Sequence, residues 1–464
     1  MSTKNVGAMN SEVSVHNCVH YRPLWDERLE AASRAGQGPV AILVCHGMGQ
    51  QVRYETISSV AKALLSEARR NNAVVSPVEV TLAQANDDFL ARAEVKWEKE
   101  GRKHEVHVYE AYWAPLTEGK VTYWDTIKFL LRAGRDGLLH SRPFWASSFK
   151  RWMFGGPKPL RIGPLTWIGL IIVLAFLLFQ VGIIAFVALT LAAQSKVALS
   201  SFCLPQGGLS HWISYCFGWL LLFLPGFVPG QHISWHVVKT ISIWLILTLE
   251  AVAVRYFLIQ FVGDVAAYIS PYKDSKFDDL RHQIRKIGLN VGKVVYGIGS
   301  HQATVPNYSQ IVIVGHSLGS VLAYDTLNSL INADQTSAPN QRCDVSGRTR
   351  ALVTFGSPLD KTAFMFRLQV GSEENWVREQ LAASVQPLIV DYKYRPANFG
   401  WTNIWSPMDI ISGALDYYDD PGMPLNNPQR VQNLIDPRAW FPIFAHVQYW
   451  NSNLLRETLY RCVT

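Results

Sequence analysis

Residues 311–320 read Ile-Val-Ile-Val-Gly-His-Ser-Leu-Gly-Ser, and the predicted architecture follows from this segment. Its β-branched run predicts a short buried strand that ends at Gly315, and the residues from Gly319 onward predict a helix. Ser317 then lies at the apex of a strand–turn–helix with the G-x-S-x-G spacing of a nucleophile elbow. In so sharp a turn, side chains two positions before and after the serine would collide, and the two glycines avoid this. The pattern makes Ser317 the candidate nucleophile.

Strands alternate with helices on both sides of this elbow. Short β-rich runs predict strands over 39–45, 78–83, 104–113, 351–355 and 387–394. Helical spacing of apolar residues predicts helices over 54–70, 123–139 and 278–296, a helix from the elbow to 330, and a loop and helix over 440–460. Alternating strands and helices are typical of a mostly parallel sheet that is covered by helices on both faces. The sequence therefore predicts an α/β protein.

The middle of the chain is almost free of charge. Asp, Glu, Lys and Arg are absent from 162–195 and from 197–238, and only 17% of the whole chain is charged, against about 25% in a soluble domain. Two apolar segments, 165–193 and 240–262, are long enough to cross a bilayer of about 30 Å. A shorter segment between them, 211–224, suits a re-entrant or interfacial element. We therefore expect an α-helical membrane insertion within the α/β domain.

The chain then divides into a polar N-terminal extension (1–38), the first part of the α/β domain (39–160), the helical transmembrane insertion (161–263) and the second part of the domain with the elbow (264–464). Because strands on both sides of the insertion belong to one sheet, the insertion crosses the bilayer an even number of times, and two crossings are favoured. Basic residues gather before the first apolar segment, whereas the far side of the insertion offers only Lys196 and Lys239. The positive-inside rule then predicts an integral membrane protein whose α/β domain faces the cytoplasm. The alternative is a soluble protein whose apolar block is a buried helical cap or a dimerisation hairpin.

A serine hydroxyl is a weak nucleophile and needs a general base within hydrogen-bond reach. In enzymes with this elbow the chain order is Ser, then Asp or Glu, then His, and His446 is the only histidine after His316. His446 is therefore the predicted base. For the acid that orients it, Asp409 is favoured because the two isoleucines that follow it indicate partial burial, and Asp360 is the alternative acid. Asp409 could also cap a helix.

The negatively charged oxygen of an acyl-transfer intermediate needs two preorganised N–H donors. We expect one from the backbone of Leu318 and the other from the loop His46-Gly47-Met48-Gly49, through Met48 or Gly47. This loop lacks the Lys-Ser/Thr and G-x-G-x-x-G patterns of phosphate sites. The six cysteines form no C-x-x-C pattern, and the basic residues behind the net charge of +7 are not interleaved with aromatic residues. We therefore expect no metal, no cofactor and no nucleic-acid partner.

Together these residues resemble the serine esterases and lipases of the α/β-hydrolase fold. The matching pieces are the loop 46–49, the elbow 315–319, the turn Phe-Gly-Ser-Pro-Leu at 355–359, Asp409, which follows the strand position where this fold presents its acid, and His446. The resemblance covers 39–160 and 264–464 and implies hydrolysis of an ester, which we expect to be a lipid ester because the insertion would hold the site near a bilayer. A thioester or an amide suits the same residues. The alternative function is a membrane scaffold or a bilayer-disturbing effector that keeps the fold.

Overall fold

A computed structural model of the chain describes residues 19–21, 38–48, 51–85, 88–117, 120, 182, 268, 277–299, 305–360, 362, 385–390, 399–409, 411–419, 424, 427, 429–441 and 444–464. The chain divides into two units, Met1–Arg161 with Ile259–Thr464, and Ile162–Leu258. Apart from Gly182, every described residue belongs to the first unit. The three apolar segments and the predicted helix over 123–139 lie outside the described residues. Within the described part of the chain, no helix has the length and apolar character needed to cross a membrane.

Ten strands of the described residues form one sheet. In chain order they are β1 (Val19–Tyr21), β2 (Val40–Cys45), β3 (Val74–Val75), β4 (Val78–Ala85), β5 (Asp88–Lys99), β6 (Arg102–Ala111), β7 (Ile311–His316), β8 (Thr349–Phe355), β9 (Gly400–Trp405) and β10 (Gln432–Ile435). Their order across the sheet is β1-β4-β5-β6-β2-β7-β8-β9-β10, with β3 paired to β5. Six of these nine pairings are parallel, and the three made by β5 are antiparallel. The predicted α/β class with a mostly parallel sheet is confirmed.

Helices cover both faces of this sheet. They are α1 (Glu55–Arg70), α2 (Ala114–Thr117), α3 (Asp278–Tyr296), α4 (Leu318–Thr336), α5 (Val345–Arg348), α6 (Pro387–Val390), α7 (Ala445–Gln448) and α8 (Asn453–Val463). Because successive side chains of a strand point to opposite faces, Ile42 and Val44 of β2 pack in the core beneath α1 and α8. Leu43, between them, packs in the other core, beneath α3 and α4. The central strands are therefore buried on both sides, as their continuous apolar sequences predict.

Several elements differ from the sequence expectation, among them α6, β1 and β5. The predicted strand over 387–394 is wrong at its start, where Pro387–Val390 form the helical turn α6. Proline is well suited to the first helical position, and the N–H of Leu388 is bound by the side chain of Asn328 on α4, 3.1 Å away. The polar extension 1–38 contributes a strand as well, because Val19–Tyr21 pair in parallel with β4.

Strand β5 was not predicted, because charged residues occupy alternate positions along it. Ala93, Val95 and Trp97 face the apolar core, whereas Arg92 and Glu94 lie on the other face and are nevertheless buried. The two are paired there, with Arg92 Nη2 3.0 Å from Glu94 Oε1. Charge pairing within the sheet therefore allows a strand that the composition alone disfavours.

Six strands end at the same edge of the sheet, which we call the carboxyl edge. Strands β2, β6, β7, β8, β9 and β10 are joined by parallel pairings, so their last residues lie side by side. In α/β sheets, ligands bind outside the carboxyl ends of the parallel strands. The predicted nucleophile follows β7, so the candidate site lies at this edge.

Candidate active site

Ser317 lies in the strained turn between β7 and α4. Its backbone has φ 54° and ψ −130°, a conformation that non-glycine residues rarely adopt and that costs about 1–3 kcal/mol. A Cβ at Gly315 would lie 2.4 Å from the Cα of Ser320, so the strand and helix approach as closely as the sequence predicts. A Cβ at Gly319 would lie 2.2 Å from the carbonyl oxygen of His46, which shows that this second glycine makes room for the loop after β2.

The structure brings Ser317, His446 and Asp409 into one chain of hydrogen bonds. His446 Nε2 lies 2.7 Å from Ser317 Oγ, and His446 Nδ1 lies 2.9 Å from Asp409 Oδ2. All three residues are buried, with exposed fractions of 1%, 9% and 3% for Ser317, His446 and Asp409. Because a carboxylate only accepts, Nδ1 carries the proton, and Nε2 is left to accept the serine hydroxyl proton. A histidine held in this way can act as a general base toward the serine.

The Asp409 carboxylate is held ionised by its neighbours. Burial by itself raises the pKa of this carboxyl, but attraction to His446 and hydrogen bonds from His446, the Ile411 N–H and the Tyr449 hydroxyl bring the pKa below its ordinary value. The Ile411 N–H donates to Asp409 Oδ1 over 3.0 Å and closes a local turn. No helix begins directly after Asp409 in the described part of the chain, so the helix-capping role is not seen there. The alternative acid, Asp360, is also buried, with its carboxylate against Gly413, and Asp409 is the carboxylate that binds His446.

Tyr449 is a member of this network that the sequence did not reveal. Its hydroxyl donates to Asp409 Oδ2 over 3.0 Å and lies 3.0 Å from the hydroxyl of Ser412. Burial and the nearby carboxylate raise the pKa of Tyr449 well above its ordinary value, so the hydroxyl keeps its proton. Tyr449 is three residues after His446, at the end of the same helical turn, so both side chains reach one carboxylate. Nothing in the local sequence indicates that contact.

Two further histidines support the site as neutral side chains. Burial, and to a smaller extent repulsion from His446, lowers the pKa of His316 to about 3. The Nε2–H of His316 donates to the backbone carbonyl of His446 over 3.2 Å. Burial lowers the pKa of His46 to about 4. The Nε2 atom of His46 accepts the Trp113 N–H over 2.9 Å, and its Nδ1–H donates to the Gly47 carbonyl over 2.7 Å. These bonds fix the base on one side of Ser317 and the loop after β2 on the other.

The loop after β2 lies directly against the elbow. A Cβ at Gly47 would be 3.0 Å from the Cβ of Ser317, a tighter contact than most side chains make, so glycine favours the close approach of this backbone to the nucleophile. Met48, next in the chain, is buried with an exposed fraction of 3%. Leu318 is the first residue of α4, where a backbone N–H has no acceptor within the helix. The predicted oxyanion donors, Leu318 with Met48 or Gly47, therefore flank Ser317 from two elements.

One cluster of side chains among the described residues has atoms close enough to share a metal ion. The ligand atoms of Glu94, Glu105 and His107 lie within 4.8 Å of one another. The Lys96 ammonium lies 3.5 Å from Glu94 and 3.1 Å from Glu105, and Arg92 also binds Glu94. These cations of the chain itself neutralise the carboxylates. The cluster lies within the β4–β5–β6 part of the sheet and is not part of the Ser317 network.

Comparison with known proteins gives no relative: no family model, no curated protein and no solved structure matches this chain. The function is therefore inferred from the arrangement of the side chains themselves. That arrangement contains a nucleophile in a strained turn, a base at 2.7 Å, an acid behind the base, and backbone N–H groups beside the nucleophile. Such a set can carry out acyl transfer through a covalent serine intermediate.

Proposed function

We propose that this protein is a serine hydrolase of the α/β-hydrolase type that cleaves an ester bond, with a lipid ester as substrate. The observation that carries the proposal is the continuous hydrogen-bonded chain from Ser317 Oγ through His446 to Asp409 Oδ2. A serine, a histidine and an aspartate meet there from three elements that are far apart in sequence. The strained backbone of Ser317 adds weight, because such strain persists where a function requires it.

The proposed reaction proceeds in two halves. Ser317 Oγ attacks the ester carbonyl carbon while its proton passes to His446 Nε2, and the carbonyl oxygen becomes an oxyanion held by the N–H groups of Leu318 and Met48 or Gly47. When the intermediate collapses, the C–O bond to the alcohol breaks and His446 gives its proton to the leaving oxygen. Water then attacks the acyl-enzyme, His446 takes a proton from it, and the acid leaves as Ser317 regains its hydroxyl proton. Asp409 stabilises the imidazolium in both halves.

The membrane part of the proposal comes from the sequence. The charge-free stretches 162–195 and 197–238 favour a membrane-anchored enzyme with its α/β domain in the cytoplasm. An anchored site meets lipids at high local concentration, which is why we propose a lipid ester. The same residues could act on a thioester or an amide, so the substrate series in the test should include all three bonds.

Hydrolysis of p-nitrophenyl butyrate by the purified full-length protein tests the chemistry. We expect turnover that Ser317→Ala abolishes and that the matched variant Ser58→Ala, at an exposed position on α1, leaves intact. A butyryl thioester and a butyryl amide, assayed in parallel, rank the three bonds. Turnover that survives in Ser317→Ala would contradict the proposed mechanism.

A further inference from the structure

Exposed apolar side chains gather at the carboxyl edge. Ten large hydrophobic side chains among the described residues are exposed, and eight of them lie at the carboxyl ends of the parallel strands or in the loops that follow: Val52, Tyr54, Phe89, Ile435, Trp440, Phe441, Phe444 and Val447. Phe89 belongs to this set because β5 runs antiparallel to β6 and so begins at the carboxyl edge. Apolar residues exposed singly are ordinary, whereas a contiguous exposed apolar patch marks an interaction surface.

Three of these side chains form a continuous aromatic patch, which consists of Trp440, Phe441 and Phe444. The ring centroids of Trp440 and Phe441 lie 5.8 Å apart, and those of Phe441 and Phe444 lie 5.7 Å apart. Their exposed fractions are 67%, 39% and 55% in chain order. Phe444 is two residues before His446, so the patch borders the candidate catalytic base. Tryptophan and phenylalanine are the side chains that lodge at the boundary between lipid headgroups and acyl chains.

The exposed charge that adjoins the patch in the sequence is positive, since Arg438 lies two residues before Trp440. The loops 46–54 and 436–452 contain three charged residues, Arg53, Asp436 and Arg438. Asp436 is buried, with an exposed fraction of 2%, whereas both arginines are exposed. Arg53 is followed two residues later by the exposed Glu55, so the positive charge at the patch is that of Arg438. An aromatic patch with an arginine beside it is complementary to the anionic phosphates and the apolar interior of a phospholipid surface.

The described elements that flank the apolar block in the sequence also meet this edge. On its N-terminal side the chain leaves β6 at the carboxyl edge and forms α2. On its C-terminal side it begins α3, whose last residue, Tyr296, binds Thr349 at the start of β8, on the opposite edge. Helix α3 therefore runs away from the carboxyl edge. The described chain therefore leaves the sheet after β6 and returns to it through α3 at the edge where Ser317 lies.

We propose that the carboxyl edge docks on the surface of a bilayer that contains anionic phospholipid, with the aromatic patch in the interfacial layer beside Ser317. In this orientation the candidate nucleophile faces the lipids rather than the aqueous phase. The docking stands on surface chemistry and topology alone. The docking also implies that the substrate ester belongs to a lipid of the same bilayer. That consequence rests on the proposed function.

Lipid-borne quenching tests the docking without any use of activity. The fluorophore NBD is attached at Trp440→Cys in full-length protein that carries Ser317→Ala and serine in place of the native cysteines other than the buried Cys45. The protein is reconstituted in vesicles of phosphatidylcholine and phosphatidylglycerol in which some phosphatidylcholine carries a doxyl group near the headgroup. We expect quenching at position 440 and none at Val74→Cys, which is exposed at the opposite edge. Absence of lipid quenching at position 440 overturns the proposal. This holds whether the patch is exposed to water or is covered by the apolar block of the chain.

A comparison of substrates tests the consequence for catalysis. The variant Trp440→Ser/Phe441→Ser/Phe444→Ser should lose at least about tenfold more activity on phosphatidylglycerol in vesicles than on p-nitrophenyl butyrate. The matched control Val74→Ser should show no such difference between substrates. Equal losses on both substrates would overturn bilayer presentation. If the unaltered protein cleaves neither substrate, the proposed function fails, and the quenching result still decides the docking.

Discussion

Replacing Tyr449 with phenylalanine removes a single hydroxyl from behind the candidate catalytic acid. That hydroxyl donates to Asp409 Oδ2 over 3.0 Å, the same oxygen that His446 Nδ1 approaches to 2.9 Å. The phenyl ring keeps its packing against the turn at Gly356, so the variant is expected to fold. The change therefore isolates the role of one hydrogen bond in positioning the acid.

The structure bounds the size of the effect. A hydrogen bond to a charged group contributes about 1.5–3 kcal/mol, but Asp409 keeps its bonds to His446 and to the Ile411 N–H. We therefore expect kcat to fall about tenfold, or about 1.4 kcal/mol, which is far less than the loss of roughly 10⁴-fold when the acid itself is removed. KM should stay nearly constant, because the Tyr449 side chain is buried behind the acid. Since the donated bond lowers the pKa of Asp409, its loss makes the carboxylate a stronger partner for protonated His446. The acid limb of the pH–rate profile should then move to higher pH.

Steady-state kinetics on p-nitrophenyl butyrate across pH measure all three quantities. Tyr296→Phe is the matched control, because it removes a buried tyrosine hydroxyl, 2.5 Å from Thr349 Oγ1, at the opposite edge of the sheet. That control should lower thermal stability and leave kcat and the pH profile in place. An unchanged pH profile and kcat in Tyr449→Phe would refute a positioning role for Tyr449.

Three further predictions concern the acid, the elbow and pH. Asp409→Asn should lower kcat about 10⁴-fold, because an amide cannot hold His446 in the required tautomer, whereas Asp360→Asn should change kcat only a few-fold. If a kinetic assay gave the reverse order, Asp360 and not Asp409 would be the acid. Gly319→Ala places a Cβ 2.2 Å from the His46 carbonyl oxygen. It should lower the free energy of unfolding by about 1–3 kcal/mol, seen as a lower melting temperature in a fluorescence melt. Unchanged stability would contradict the close approach. Because the pKa values of His46 and His316 are lowered from 6.5 to about 4 and about 3, the unfolded chain binds more protons than the folded chain below pH 6.5. The melting temperature should therefore fall as the pH drops from 6.5 toward 4, and a constant value would contradict two buried neutral rings.

The elbow could be predicted from sequence because its constraints are local. Gly315, Ser317 and Gly319 lie two positions apart in turn, and steric crowding over so short a distance depends little on the rest of the fold. His446 could be predicted for a different reason. The chain has one histidine after the elbow, and the base follows the nucleophile and the acid in chain order. In the structure His446 lies 2.7 Å from the Ser317 hydroxyl, with Asp409 on its other side.

Long-range contacts explain what the sequence did not reveal. Tyr449 meets a carboxylate 40 residues away, and no spacing rule connects the two positions. The helical turn at Pro387–Val390 depends on Asn328, 60 residues before Leu388, so local β-propensity gave the wrong element. In β5 the alternating charges are compensated by partners on neighbouring strands, such as Glu79 bound to Lys96 at 2.8 Å. Each of these features depends on pairing partners that only the folded sheet brings together.

The most direct test of a catalytic site at Ser317 is to identify which residue reacts with a fluorophosphonate, a reagent that phosphonylates activated serines. The full-length protein is treated with the reagent, digested and mapped by tandem mass spectrometry, with Ser317→Ala and His446→Ala treated alongside. We predict one adduct, on Ser317, which is absent in Ser317→Ala and strongly slowed in His446→Ala because the hydroxyl loses its base at 2.7 Å. An adduct on another residue, or no adduct on folded protein, would contradict a Ser317–His446–Asp409 catalytic site.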